Sequence, residues 1–139
     1  MEEIKPTAKE DPQRFMDLSD GIIKQLERDD VICLEGFSYG SKGQGVSTQY
    51  GIGWIIRVGL IKSGFTYTEI APSALKKFAS GKGNTKKDEL VLPIYKRWNF
   101  EHSSDNVHDA FVLARIAQAL HDDVELTAFQ EEVLKKAAQ

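Results

Sequence analysis

The sequence predicts an α/β domain, and three observations carry that expectation. Two short apolar runs, residues 31–37 and 66–71, have the length and composition of strands. Around them, apolar residues recur at helical spacing over four separate stretches. A helical stretch separates the two strands, and parallel neighbours need a crossover of this kind.

The 139 residues suit one domain with a modest core, and 41% apolar with 28% charged residues reads as a globular chain. No apolar run approaches a membrane span, and Met1-Glu2-Glu3-Ile4-Lys5-Pro6 lacks signal-peptide character, so a cytoplasmic location is expected. The single cysteine, Cys33, lies inside the first strand run and is read as core.

Residues 1–11 read as a leader. Asp11-Pro12 has the form of a helix start, with Asp as N-cap and Pro in the first turn. Phe15, Leu18, Ile22 and Leu26 then follow at helical spacing, which predicts a helix over 12–28. Asp29-Asp30 breaks it. Residues 31–37, ending Leu34-Glu35-Gly36-Phe37, form a continuous apolar run of the sort found in strands covered on both faces. Gly36, Gly40, Gly43 and Gly45 make the following stretch a loop, and their spacing matches no nucleotide-binding fingerprint.

Residues 46–63 are apolar on most sides, with only Arg57 and Lys62 charged, which predicts a heavily buried helix. After the second strand, Pro72 introduces a lysine-rich segment whose centre, Ser80-Gly81-Lys82-Gly83-Asn84, is expected to be a mobile loop. A helix is expected over 85–97. Ser103-Ser104-Asp105 offers N-caps for another through about 120, with Val107, Phe111, Ala114, Ala117 and Leu120 as its apolar face. Leu126, Phe129, Val133 and Ala137 mark a C-terminal amphipathic helix within 122–139. Two parallel strands alone make a poor sheet, so neighbours are missing from the predicted fold.

Net charge is −3, but it is unevenly distributed. Residues 72–97 carry Lys76, Lys77, Lys82, Lys86, Lys87, Lys96 and Arg97 against only Asp88 and Glu89, while both ends of the chain are acidic. A local basic face of this kind binds phosphates even on an acidic protein, although a solvated loop has the same composition. No Cys/His spacing for zinc and no Gly-x-Ser-x-Gly nucleophile turn occurs.

Read together, Ile32-Cys33-Leu34-Glu35-Gly36-Phe37, Pro72-Ser73-Ala74-Leu75-Lys76-Lys77, Gly81-Lys82-Gly83-Asn84-Thr85-Lys86-Lys87 and Asp105-Asn106-Val107-His108-Asp109-Ala110 resemble the RuvC family of Holliday-junction resolvases, above all its short phage and prophage members. The resemblance spans about Gln13 to Leu120, inside a domain read as 12–121. It implies a ribonuclease H-like fold, a homodimer formed through 46–63, and Mg²⁺- or Mn²⁺-dependent cleavage of four-way DNA junctions in recombination and repair. Glu35 matches the family's fourth-strand glutamate and Asp109 the last acid of its final helix. Asn106, with Asp105 just upstream, stands where the family often has Asp or His. Lys76 and Lys87 match basic residues used on phosphates. One feature departs from the pattern: no apolar strand ending in Ile-Asp-x-Gly precedes Gln13, so the resemblance implies an N-terminally truncated sheet without its first catalytic aspartate.

The residues themselves support parts of this. A carboxylate such as Glu35 ending an apolar strand needs a cation, a metal or solvent, and hard divalent cations take such oxygen ligands. Glu35 and Asp109 are therefore the expected metal ligands. Asp109 is also explained by a helix N-terminus, and Asp105 by N-capping. Asn106 offers a carbonyl oxygen without charge. His108 is expected at the surface. Lys76, Lys77, Lys82, Lys86 and Lys87 are the expected phosphate contacts. Phe37 and Tyr39 are either base-stacking residues or a hydrophobic plug for their loop.

Overall fold

The computed structural model describes residues 3–38, 43 and 45–137. It is an α/β chain, mostly helical, with a short parallel two-stranded sheet flanked by helices. The elements run α1 (Gln13–Lys24), β1 (Cys33–Glu35), α2 (Val46–Lys62), β2 (Thr68–Ile70), α3 (Pro72–Ser80), a 3₁₀ turn (Lys87–Leu90), α4 (Val91–Trp98), α5 (Asp105–His121) and α6 (Ala128–Ala137). They form two compact units: Val31–Gly36 with Thr68–Gln139, and Glu2–Asp30 with Phe37–Tyr67.

The first unit contains the sheet and the main core. Cys33 pairs with Thr68, Leu34 with Glu69 and Glu35 with Ile70, in parallel. The Gly36 N–H donates to Ile70 O at 2.7 Å and the Thr68 N–H to Ile32 O at 3.0 Å, so pairing extends past the three-residue strands at both ends. Among the described residues β1 pairs only with β2. Ile70, Leu75, Phe78, Ala79, Leu90, Ile94, Val112, Ile116 and Val133 are buried together, gathering α3 to α6 on the sheet. Burying a side chain of the size of Phe78 or Ile94 contributes about 1.5–3 kcal/mol.

Helix α3 opens the lysine-rich segment that Pro72 introduces. Ala71 is extended, Pro72 takes the first turn, and Leu75, Phe78 and Ala79 turn inward at i, i+3 and i+4. Gly81 ends it in the left-handed region, at φ 91°. The turn that follows is hydrogen-bonded rather than loose. The Ser80 hydroxyl lies 2.8 Å from Lys76 O and 2.7 Å from the Thr85 hydroxyl, which donates to Lys82 O at 2.7 Å. Thr85 is buried. The mobile loop expected at 80–84 is thus a pinned turn.

Helix α5 buries Val107, His108, Val112, Ile116 and Ala117, while Ala114 is exposed. Val107 and Ala117 are buried and Phe111 and Leu120 pack on the core, as expected, while His108, Val112 and Ile116 extend the buried face. Ser104, not Asp105, is the N-cap, accepting the Val107 N–H at 3.4 Å. At the start of α6, Thr127 and Gln130 form a reciprocal box: the Thr127 N–H donates to Gln130 Oε1 and the Gln130 N–H to Thr127 Oγ1.

The second unit is built on α1 against α2. Gly51 and Gly59 allow the approach: a Cβ at Gly51 would lie 2.6 Å from the Phe15 ring, and one at Gly59 2.7 Å from Ser19 Oγ. Helix α1 stops at Lys24, four residues before the expected end. Asp11 does not cap it. Its carboxylate instead accepts from Arg14 Nε at 2.8 Å. Helix α2 is less buried than its composition implies, since Trp54, Val58 and Ile61 remain exposed on it. No helix among the described residues is long and apolar enough to cross a membrane.

Candidate carboxylate and lysine site

Two elements of the first unit deliver the central acids. Glu35 is the last residue of β1, where the Gly36–Ile70 hydrogen bond fixes the strand end. Asp109 is the fifth residue of α5, one turn beyond Asp105. Only Asp105 lies in the first turn, where the helix dipole acts most strongly. Dipole stabilisation is therefore a weaker account of Asp109 than its sequence position suggests.

The approach to α5 is held by two histidines. Buried His108 accepts the His102 N–H through Nε2 at 3.0 Å, and its ring meets the Phe100 ring edge-on. The His102 Nδ1 in turn accepts the Ser104 N–H at 3.0 Å. His108 is thus a positioning residue inside the domain and not the surface histidine expected. His102 shares that work, although nothing in its sequence neighbourhood marks it.

Electrostatics bring Glu35 and Asp109 together. Burial pushes the Glu35 carboxyl above its ordinary value, the Asp109 charge adds to this, and Lys87 and then Lys76 oppose it. Glu35 keeps solvent access at the strand end, so its desolvation comes from protein packed behind the carboxyl and not from enclosure. Burial likewise pushes Asp109 up. Lys87 opposes, Asp105 adds to the rise, and His108 and Lys76 oppose more weakly. Two half-desolvated acids, the charge of Asp109 acting on Glu35, thus share the field of Lys87 and Lys76.

The other expected site residues divide clearly. Asp105 acts on Asp109 but is not gathered with Glu35 into a ligand cluster. Among the described residues no group of three or more His, Cys, Asp or Glu side chains is placed to hold a metal ion. Asn106 is exposed, three residues before Asp109. Lys76 is half-buried beside the acids and Lys87 exposed beside them. Lys77, about 100° further round α3, points elsewhere and pairs with Glu132 of α6 at 2.9 Å. Lys82 and Lys86 are exposed on the pinned turn. Phe37 lies in the second unit, against Tyr50 and Trp54 and beneath the Arg57 guanidinium at 4.2 Å, contacts that match the plug alternative. Tyr39 lies outside the described residues.

Sequence reasoning also missed Arg57. It is buried, donates to Gly53 O at 2.9 Å and covers Phe37. A lone arginine in an apolar helix was the available signal. Compared with protein-family models and with curated proteins, the chain matches none.

Proposed function

We propose that the chain acts on DNA as a metal-dependent, structure-selective endonuclease of the RuvC type, with four-way junctions as its preferred substrate. The observation that carries the reading is the Glu35–Asp109 pair with Lys76 and Lys87 beside it. Lysines next to paired carboxylates suit phosphodiester chemistry. The cations hold and neutralise a phosphate, and acids of raised proton affinity accept a proton from an attacking water. The carboxylates fit Mg²⁺ or Mn²⁺ as a partial ligand set. Such an ion, when bound, polarises a phosphoryl oxygen as a Lewis acid. Lys76 and Lys87 orient the phosphate, while Lys82 and Lys86 extend the contact along the backbone of the nucleic acid.

A ribonuclease H-like sheet places a further aspartate on a strand beside β1, and that edge is where a third ligand would enter. A second reading rests on the exposed lysines Lys82, Lys86 and Lys87 alone. On it, the chain is a DNA-binding or assembly protein that keeps the basic face without cutting. The exposed Trp54, Val58 and Ile61 of α2 support a homodimer formed through 46–63 under either reading. A strictly monomeric sedimentation profile at tens of micromolar (on the order of common working concentrations) would count against it.

Incubation with a synthetic four-way junction in Mg²⁺ or Mn²⁺ separates the readings. The chain by itself is expected to bind the junction and cut it weakly or not at all. Fusion of an apolar strand ending Ile-Asp-x-Gly ahead of Gln13 should restore cutting, and Glu35→Gln or Asp109→Asn should abolish it. Binding that no added strand converts to cutting favours the second reading. Cutting that survives both substitutions overturns the site.

A further inference from the structure

The 3₁₀ turn that carries Lys87 runs directly into α4, and α4 has an unusual outward face. Its inner side supplies Ile94 to the core, yet Val91, Leu92 and Tyr95 are 38%, 58% and 46% exposed. Val91 and Tyr95 lie four apart along one face of α4, and Lys87 opens the 3₁₀ turn that leads into it. That line starts at a lysine whose charge acts on both Glu35 and Asp109. It extends roughly 12 Å along the helix, the reach of about three to four stacked nucleotides.

Two further features fit a nucleotide chain. Phe78, Trp98, Phe111 and Phe100 stack among themselves inside this unit, whereas the Tyr95 ring and hydroxyl have no ring contact or hydrogen bond among the described residues. Beside the line lies an open recess walled by Leu92, Pro93, Lys96 and Arg97. Two apolar and two cationic side chains there match a sugar or base edge next to a phosphate. Asp88 and Glu89 lie in the preceding 3₁₀ turn, and the recess itself is walled by Lys96 and Arg97 with no acidic side chain.

We propose that the outward face of α4 is a second DNA-contact surface, along which unpaired nucleotides flanking the phosphate at Glu35 and Asp109 lie, with Tyr95 stacked on a base. This rests on the DNA reading above and adds to it a reason for structure selectivity. Bases that are paired within a duplex present no free face to Tyr95, whereas bases opened at a junction do.

The test compares a four-way junction carrying 2-aminopurine at the crossover with a fully paired duplex, using the full chain and its Tyr95→Ala, Tyr95→Phe and Leu92→Ser variants. Tyr95→Ala should weaken junction binding roughly five- to a hundred-fold, the range of one lost base–aromatic stack, and leave duplex binding unchanged. It should also relieve the 2-aminopurine quenching that the parent chain produces, while Tyr95→Phe keeps both affinity and quenching. Junction binding by Tyr95→Ala equal to the parent's overturns the inference and leaves the DNA reading standing. Equal losses on junction and duplex overturn it too, with circular dichroism showing whether the fold has failed. Self-association that Leu92→Ser abolishes without changing junction affinity assigns the face to a second copy of the chain instead. If the parent binds neither DNA, the functional reading itself fails.

Discussion

Adjacent lysines on α3 serve opposite electrostatic regions. Lys76 lies beside Glu35 and Asp109, whose carboxyls are held above their ordinary values, first by burial. Lys77 pairs with exposed Glu132, whose carboxyl is held below its ordinary value by the Lys77 hydrogen bond and charge. The second arrangement is what a stability-driven surface produces: one acid, one base, one short contact. The first gathers two acids whose charges oppose each other and leaves two lysines to offset them. This difference is what the proposed ligand site rests on.

The largest effect expected from this difference is on DNA. Changing Lys76 and Lys87 together to Ala should weaken junction and duplex binding about 10- to 100-fold at low salt, and reduce the salt slope by about 2. Lys77→Ala, tied up with Glu132, should change affinity by less than about two-fold, the size of a minor rim effect. A filter-binding or anisotropy titration across salt concentrations measures both. If Lys77→Ala matters as much as Lys87→Ala, the two regions are one continuous DNA face and the contrast fails.

The next effect concerns cations. Millimolar Mg²⁺ or Mn²⁺ should raise the melting temperature of the parent chain and not that of a Glu35→Gln/Asp109→Asn double variant. At ten times the dissociation constant the stabilisation is about 1.4 kcal/mol, readily seen in a thermal melt. Equal shifts in both proteins would show that the ions act elsewhere.

How much of this was legible in the sequence depends on the signal each residue leaves. Glu35 stood out because an acid closing an apolar strand breaks a local rule, Asp109 only through its pairing with Glu35 and the resemblance of its segment, and the structure places their charges within reach of each other. The parallel strand pair was legible for the same reason of pattern, although each strand is three residues long and not six or seven. What local pattern cannot supply is direction. Lys76 and Lys77 are equivalent in composition, and only the rotation of α3 sends one to the acids and the other to α6. The α5 face was legible at Val107, Phe111, Ala117 and Leu120 and missed only in Ala114, which is exposed, and in its extension to His108, Val112 and Ile116. Buried His108 belongs to that extension, and a histidine gives no hint of burial until its partner at His102 is known. The Ser80–Thr85 pinning of the lysine turn was likewise hidden, since Gly81 and Gly83 dominate its composition. By contrast, Thr127-x-x-Gln130 is a readable box that precedes an apolar stripe, and it went unused.

Stability against pH sharpens the comparison further. For Glu35 and Asp109 the folded-state pKa lies above the unfolded one, so the folded protein holds these protons more tightly. Their contribution is fully present below the unfolded values and is lost as pH rises through the folded ones. Above the folded values both are charged and the pair costs stability. Removing either charge, by Glu35→Gln or Asp109→Asn, should therefore raise the melting temperature at pH 8, by a few degrees at most. The gain should shrink as pH falls toward 4. A melting temperature lowered at pH 8 by both substitutions would mean that the acids are structural anchors, and the functional reading of the pair would lose its support.

The smallest effect belongs to Glu132, and its sign is opposite. Its folded pKa is depressed, so its contribution is present above the unfolded value and lost as pH falls through the folded one. Glu132→Gln should lower the melting temperature slightly at pH 7, by about a degree or less, because an exposed pair between mobile side chains is screened by water and salt. Raising salt to 1 M should erase even that difference. The same salt should leave most of the pH 8 gain of Asp109→Asn intact, since desolvation, its largest cause, is not screened by ions. Melts of these two variants at pH 8, in low and high salt, set the comparison on one plot. If high salt removes both effects alike, repulsion alone accounts for the Asp109 shift, and burial behind the carboxylates is not what distinguishes the site.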